Sequence, residues 1–235
     1  VLSLLSSTGT ERQDVSNLVN AGALFGIEPA TLRVAITRLQ KADLLGSPER
    51  GVYVAGPKSK ALTRRVQQWR NAPDRTCDWD GNWLVALTHQ LGRTDRKQVR
   101  ARERALALSG YRAADMGLWV RPANLVGSLA EHRADLIAIG ADDDIRLLKS
   151  TASAPAAEEN WSGLWSIDAL EQSYRDAIDR MTGSLSGLDS LDAADAARET
   201  LLIGQAVIRT INFDPLLPAE LAEARLFEEM VETMK

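Results

Sequence analysis

The sequence contains few of the residues on which disulfide scaffolds and many active sites depend. There is one cysteine, Cys77, and there are two histidines among 235 residues. A single cysteine excludes an internal disulfide framework and is typical of a reducing compartment, so we expect a cytoplasmic protein. No apolar run approaches the roughly 18 to 20 residues that a membrane span needs, so no membrane partner is expected.

The sequence patterns that carry catalysis are also missing. Neither a glycine-rich phosphate loop nor a G-x-S-x-G nucleophile elbow occurs, and His89 and His132 lie far apart along the chain. Asp142, Asp143 and Asp144 form a run of carboxylates, but the run lacks the glycine and the final glutamate of a calcium loop. A solvated turn is the better interpretation of this run. We therefore expect no catalytic residues, no metal, no cofactor and no enzyme activity.

Charge is unevenly distributed along a chain whose formal net charge is only −4. Residues 31–70 carry nine lysines and arginines against two acids, whereas residues 141–200 carry thirteen acids against five bases. A cationic segment in an otherwise acidic protein makes the molecule polarised, and such a segment is the electrostatic footprint of a nucleic-acid-binding domain.

The first 57 residues show the pattern of two helices joined by a turn. A helix capped by Thr10 or Asp14 is expected to end at Ala23. Pro29 then suits the first turn of a second helix that extends to Ala42. Backbone N–H groups in the first turn have no acceptor within the helix, so proline, which lacks this N–H, costs no hydrogen bond there. The apolar residues of this second helix recur at i, i+3, i+4 and i+7, which predicts one buried stripe. They are Leu32, Ala35, Ile36 and Leu39.

A hairpin is predicted directly after the second helix. Residues 46–51 have turn composition and residues 52–54 form a short strand, which together predict the wing of a winged helix-turn-helix domain. A helix in the major groove can present arginine to guanine and threonine to a phosphate or a thymine methyl group. The predicted DNA-binding residues point away from the buried stripe or lie at the hairpin tip. They are Thr31, Arg33, Thr37, Arg38, Lys41 and Arg50.

The rest of the chain completes a predicted α+β fold. Within residues 73–152, strands are expected at 83–87, 116–120, 137–139 and 145–148, and helices at 96–108 and 124–133. A βαββαβ-like order of this kind favours a small ferredoxin-like sandwich of sheet and helices. The predicted domains are a winged helix-turn-helix at 1–57, a connecting helix at 58–72, the ferredoxin-like domain at 73–152 and a C-terminal helical domain at 153–235.

Several stretches of the sequence resemble one family. Residues 25–27 (FGI) and 30–39 (ATLRVAITRL) resemble the recognition-helix region of the PaaX-like bacterial transcriptional regulators. Residues 79–83 (WDGNW) and 117–124 (GLWVRPAN) resemble the central signatures of that family, and residues 213–218 (FDPLLP) resemble its C-terminal signature. The stretches occur in the family's order and span nearly the whole chain.

The resemblance implies a homodimeric repressor that binds double-stranded operator DNA. Its type member represses phenylacetate degradation and releases DNA when it binds phenylacetyl-CoA, so an aryl- or acyl-CoA thioester is the implied effector. Trp119 could stack on an aryl group or adenine and Arg121 could pair with a CoA phosphate, which makes them the candidate effector-binding residues. One departure from the family is that Ala219–Arg225 replaces a stretch that usually contains proline and tryptophan.

Two other functions remain open at the level of sequence. A winged helix can also serve as a protein-interaction module, although an acidic or apolar face would be expected there and this face is basic. The middle domain also resembles small CRISPR-associated nucleases, in which a metal-binding aspartate ends the first strand. Here the strand at 83–87 is followed by Thr88 and His89, which argues against a metal-dependent nuclease.

Overall fold

The computed structural model describes residues 1–2, 12–150 and 161–235. The chain divides into two compact units, the first joining residues 1–70 with 177–209 and 233–235, and the second joining residues 71–176 with 210–232. Both units contain helices and antiparallel strands, so the fold class is α+β. The predicted cap Thr10 and the predicted domain boundary between residues 152 and 153 lie outside the described residues.

Among residues 12–70, the first unit contains three strands and three α-helices. In chain order they are β1 (Arg12–Asp14), α1 (Val15–Ala23), α2 (Pro29–Lys41), β2 (Leu45–Glu49), β3 (Val52–Ala55) and α3 (Lys60–Gln67). Strand β3 is central and pairs antiparallel with both β1 and β2. Both predicted N-terminal helices are therefore present, and the predicted connecting helix corresponds to α3 and the 3-10 turn Gln68–Asn71 that follows it.

The predicted buried stripe of the second helix forms the core of this sheet and its helices. Leu32 and Ile36 of α2 are buried with Leu18 of α1 and Leu45 of β2, and Tyr53 of β3 packs against them. Helix α2 is held in place by burial of this one apolar face, as the spacing indicated.

The hairpin differs from the sequence expectation in one respect. The predicted turn at residues 46–51 is too long, because β2 extends to Glu49 and only Arg50 and Gly51 form the tip. Gly51 has φ 81°, a left-handed conformation that suits glycine in a tight turn. The sequence interpretation assigned Pro48 to the turn. Proline is, however, tolerated in an edge strand, and β2 is an edge strand of this sheet.

The second unit contains a four-stranded sheet with two helices between its strands. The elements are β4 (Trp83–Leu87), α4 (Arg96–Leu108), β5 (Arg112–Asp115), β6 (Leu118–Pro122), α5 (Leu129–Ala138) and β7 (Arg146–Ser150). The strand order is β5-β6-β4-β7, and each neighbouring pair is antiparallel. The predicted strand at 83–87 and the predicted helix at 96–108 are confirmed.

The strand expected at residues 137–139 is wrong. Ile137 and Ala138 are the last residues of α5, and Ile139 is its C-cap. A short apolar run cannot distinguish a strand from a buried helical segment, and here the caps decide. Ser128 and Glu131 form a reciprocal capping box that starts the helix at Leu129, five residues later than predicted.

The two faces of the four-stranded sheet bury different sets of side chains. Leu84 and Ala86 of β4 lie in a cluster with residues of α4 and α5, whereas Trp83 and Val85 lie in a second cluster on the other face. This alternation follows from the period of two along a strand. Trp83 contacts three other tryptophan rings at centroid distances between 5.4 and 6.1 Å, those of Trp79, Trp161 and Trp165.

Three further helices complete the described chain: α6 (Ile167–Gly187), α7 (Ala193–Phe213) and α8 (Ala224–Met234). Residues 153–235, predicted as one C-terminal domain, are thus divided between the two units. Among the described residues, no helix is both long and apolar enough to cross a membrane.

Candidate nucleic-acid interface

Helix α2 separates its apolar and cationic residues onto opposite faces. Leu32 is 5% exposed and Ile36 is 2% exposed, because both pack against α1 and the three-stranded sheet. The side chains that sequence reasoning assigned to DNA point away from this core and are exposed. They are Thr31, Arg33, Thr37, Arg38 and Lys41. The structure therefore brings five of the six predicted residues together on one helix.

The turn before α2 leaves the start of the helix accessible. The amide of Ile27 donates a hydrogen bond of 3.0 Å to the carbonyl of Gly22, which closes the turn after α1. Glu28 is the N-cap residue, but its side chain makes no cap hydrogen bond, and the first turn contains no acidic residue. The amides of this turn and the partial positive charge of the helix end attract an anion, whereas the exposed Glu28 carboxylate opposes that attraction.

The sixth predicted residue, Arg50, lies at the exposed tip of the β2–β3 hairpin. Its neighbour Glu49 is ion-paired with Arg12 of β1, and both side chains are more than half exposed. Lys58 forms a second exposed ion pair with Asp43 at 2.8 Å. Within residues 12–150 and 161–235, no ion pair occupies Arg33, Arg38, Lys41 or Arg50, so these cations remain available to a polyanion.

Sequence reasoning missed two residues of this surface. Val34 belongs to α2 and is 52% exposed, so a branched apolar side chain accompanies the cations and could contact a thymine methyl group. Its exposure could have been derived from the helical period, because position 34 lies outside the i, i+3, i+4, i+7 stripe. Arg12 could not have been found this way, because its place beside the hairpin depends on the pairing of β1 with β3.

Of the two predicted effector-binding residues, one is half-buried and the other is fully buried. Trp119 is half-buried and packs against the cluster that contains Leu84 and Tyr111. Arg121 is 1% exposed, and its guanidinium is committed to the protein interior. The assignment of Arg121 to an effector phosphate is therefore wrong, because its donors are already taken and no surface reaches it.

Arg121 is instead the centre of a buried hydrogen-bond network in the second unit. Its Nη1 donates to the carbonyl of Ser109 at 2.6 Å, and its Nη2 donates to Asn124 Oδ1 at 2.9 Å and to the carbonyl of Leu216 at 3.5 Å. Its Nε donates to the carbonyl of Pro122 at 3.0 Å. Burial lowers the pKa of Arg121 to about 10, so the guanidinium stays protonated at neutral pH.

An acid and a phenol lie in the same buried region. Asp214 Oδ1 accepts a hydrogen bond of 2.7 Å from the amide of Leu216, and Asp214 also accepts one from the hydroxyl of Tyr174. Burial raises the pKa of Asp214 to about 6, even though these hydrogen bonds and the nearby Arg121 act in the opposite direction. Burial also raises the pKa of Tyr174 well above its usual range.

The carboxylate run at residues 142–144 is only partly the solvated turn that was predicted. Asp142 forms an ion pair of 3.1 Å with Arg102, whose side chain is buried. It therefore anchors the turn to α4. Among residues 1–2, 12–150 and 161–235, no three His, Cys, Asp or Glu side chains are grouped so that they could hold a metal ion.

Comparison with known proteins finds similarity to solved structures but no matching family. No family model matches the chain, and no curated protein matches it. Among solved structures, the chain is similar to the uncharacterized protein Rv0674 from Mycobacterium tuberculosis, with a TM-score of 0.56 and 26% sequence identity. The similarity covers 99% of this chain and 92% of the other. It extends over nearly the whole length of both proteins, but the neighbour's name carries no function.

Proposed function

We propose that this protein is a DNA-binding transcriptional regulator, a repressor of the PaaX-like type, that reads duplex DNA with α2 and the β2–β3 hairpin. The observation that carries the proposal is the composition of the exposed face of α2. This face presents Arg33, Thr37, Arg38 and Lys41 without an acidic partner, while the opposite face is buried. Arginine and lysine on an exposed helix can read guanine in the major groove and neutralise phosphates.

The order of elements around α2 supports this function. Two helices joined by a short turn are followed by a hairpin, and the hairpin is extended by a strand that precedes the first helix. This order supports a winged helix-turn-helix domain, in which the second helix enters the major groove and the hairpin reaches the adjacent backbone or minor groove. Arg50 at the hairpin tip is suited to the second contact.

The sheet of the second unit agrees with the domain that the PaaX-like resemblance implies. The order β4-α4-β5-β6-α5-β7, with strands arranged β5-β6-β4-β7, supports a ferredoxin-like sandwich. Two stretches that resemble family signatures, residues 117–124 and 213–218, supply the Arg121, Asn124 and Leu216 groups of the buried network. These signatures thus have a physical role in holding the sheet to the C-terminal segment.

Repression of an aromatic-acid catabolic operon, relieved by an acyl-CoA thioester, is the regulatory scheme that the resemblance suggests. Two copies of α2 in a homodimer would enter successive major grooves of a palindromic operator. An effector relieves repression only if it binds the DNA-incompetent arrangement more tightly than the competent one, since equal affinity shifts no equilibrium.

The test is a titration of the full chain with DNA from upstream of its own gene, followed by fluorescence anisotropy at several salt concentrations. We expect saturable binding whose affinity falls steeply with salt, because each neutralised phosphate releases counterions. A panel of aryl- and acyl-CoA thioesters then identifies an effector by release of the DNA. Absence of promoter-specific binding at low salt would overturn the proposal.

A protein-interaction module is the second candidate, and one observation favours it. Phe25, Ile27 and Val34 are exposed apolar residues on α2 or in the turn that precedes it. Exposed aromatic and aliphatic side chains are typical of protein interfaces. Binding to a protein partner would depend weakly on salt, so the same titration separates the two candidates.

A further inference from the structure

A concave groove lies on the outer face of the three-stranded sheet of the first unit. Its volume is about 320 Å³, within the range of small-molecule sites. Strand alternation fixes the face on which it lies: Tyr53 packs into the helical core, so the next residue, Val54, points to the other side and lines the groove. Helix α2 belongs to the opposite, helical side of the same sheet.

The groove combines an apolar floor with a cationic wall. Pro48 and Val54 line the floor. Helix α3 contributes Lys60, Thr63 and Arg64, whose spacing of i, i+3 and i+4 places them on one helix face, toward the groove. Arg12 of β1 also lines the groove.

The charges of the groove are not neutralised from within. None of its lining residues in the described part of the chain is acidic. Lys60 and Arg64 are exposed and take part in no ion pair found among residues 12–150 and 161–235. Arg12 is paired with Glu49, but both side chains are more than half exposed, and such pairs contribute little.

We infer that this groove binds a small phosphorylated ligand with an apolar part, in which Arg12, Lys60 and Arg64 hold the phosphate oxygens and Pro48 and Val54 contact the apolar part. Two arginines and a lysine match the donors that phosphate groups require, and the hydroxyl of Thr63 adds a neutral donor. The cationic face of α2 and the groove lie on opposite sides of the same core.

Through Arg12, ligand binding in the groove can change the charge at the hairpin tip. A phosphate that takes Arg12 away from Glu49 leaves an unpaired carboxylate directly beside Arg50. An extra negative charge at that position repels the DNA backbone, so an occupied groove weakens DNA binding. This regulatory step rests on the proposed function, whereas binding of the ligand itself does not.

The experiment uses the full chain and two probes, ADP and inorganic pyrophosphate, with affinity measured by isothermal titration calorimetry at low ionic strength. We expect saturable binding of one ligand per chain, and tighter binding of ADP because only ADP has a part that can cover the floor. The variant Lys60→Gln with Arg64→Gln should bind ADP on the order of tenfold more weakly. The matched control, Arg33→Gln with Arg38→Gln, removes the same charge from α2 and should leave ADP binding within about twofold.

A separate DNA-binding measurement tests whether an occupied groove weakens DNA binding. In the unsubstituted chain, saturating ADP should lower DNA affinity severalfold, and Glu49→Gln should abolish this effect while ADP still binds. No binding of ADP or pyrophosphate at millimolar concentration, or equal loss in both double variants, overturns the site. If DNA binding alone depends on Lys60 and Arg64, the groove is a backbone contact and the inference is wrong. If ADP binds as described but no DNA is bound, the proposed function fails and the ligand site remains.

Discussion

Asn124 Nδ2 donates a hydrogen bond of 2.8 Å to the main-chain carbonyl of Leu216, 92 positions further along the chain. Arg121 donates to the same carbonyl and to the side-chain oxygen of Asn124. All three residues are buried, so each polar group depends on the others for its hydrogen bonds. The sheet of the second unit and its C-terminal segment are therefore joined by hydrogen bonds to one shared acceptor, the carbonyl of Leu216.

Substitution of Arg121 should destabilise this region. Arg121→Ala leaves the carbonyl of Ser109 and the side-chain oxygen of Asn124 without their buried donor and opens a cavity, so we expect the free energy of unfolding to fall by about 3 kcal/mol or more. Urea denaturation measures this change. The matched control is Arg104→Ala on the exposed face of α4, which should have little effect. Equal midpoints for the two variants would contradict the assigned role of Arg121.

Asp214 should give the stability of the protein a pH dependence of unusual sign. Its pKa is about 6 in the folded chain against an ordinary 3.8, so between these values the folded state holds the proton that the unfolded state has lost. The free energy of unfolding therefore falls as pH rises through this window, by about 3 kcal/mol in total from this group.

Asp214→Asn isolates this effect, because it keeps the acceptor for the Leu216 amide and removes the titration. The stability of the variant relative to the unsubstituted protein should rise from pH 4 to pH 7, as measured by urea denaturation at each pH. A difference that stays constant with pH would show that Asp214 does not titrate in this range.

Gly56 should not tolerate a side chain, since the backbone of a neighbouring turn approaches it closely. A Cβ at this position would lie 2.4 Å from the carbonyl oxygen of Asp43 and 2.7 Å from the amide nitrogen of Leu45. We expect Gly56→Ala to destabilise the protein by about 1 to 3 kcal/mol, because backbone must move. Thermal unfolding provides the measurement.

Gly183→Ala serves as a control for Gly56→Ala, because it is expected to change the stability in the opposite direction. Gly183 lies inside α6 and has no atom within 4 Å of an added Cβ, apart from its own helix and chain neighbours. Gly183→Ala should therefore stabilise the protein by about 0.5 to 1 kcal/mol, through helix propensity alone. If both variants shift the melting temperature in the same direction, the close approach at Gly56 is not the cause.

The cations of α2 should separate specific from non-specific DNA binding. Arg33→Ala and Arg38→Ala are each expected to weaken binding to the specific site by about 1 to 3 kcal/mol, because they remove base or phosphate contacts. Arg50→Ala should instead reduce the slope of affinity against salt by about one unit, which is the signature of one lost phosphate contact. Fluorescence anisotropy with specific and scrambled duplexes measures both, and Arg104→Ala serves as the surface control.

Local patterns were sufficient where one face of an element is buried. The period of α2 identified Leu32 and Ile36 as core residues and Arg33 and Arg38 as exposed ones, and the structure has them so. The continuously apolar strand Trp83–Leu87 and the charged helix Arg96–Leu108 were also predicted at their observed bounds, the latter with Asp95 capping its first amides. In each case the information lies within a few neighbouring residues.

Local patterns failed where a distant segment supplies the partner. Strand β1 is only three residues long and exists because β3 pairs with it. Strand β5 has the composition Arg-Ala-Ala-Asp, which carries no strand signal until β6 lies beside it. The short apolar run at residues 137–139 was interpreted as a strand, because burial of a helix end gives the same composition.

The sequence by itself determined the α+β class, the helix with a cationic face and the polarised charge of this protein, since each depends on residue type and short-range spacing. Only the tertiary structure decided that Arg121 is buried and not open to a ligand, and that Arg12 stands beside the hairpin. It also decided that Arg12, Lys60 and Arg64 line one groove. The physical reason is that burial, ion pairing and concave shape are set by segments far apart in sequence, and no local pattern encodes which of them meet.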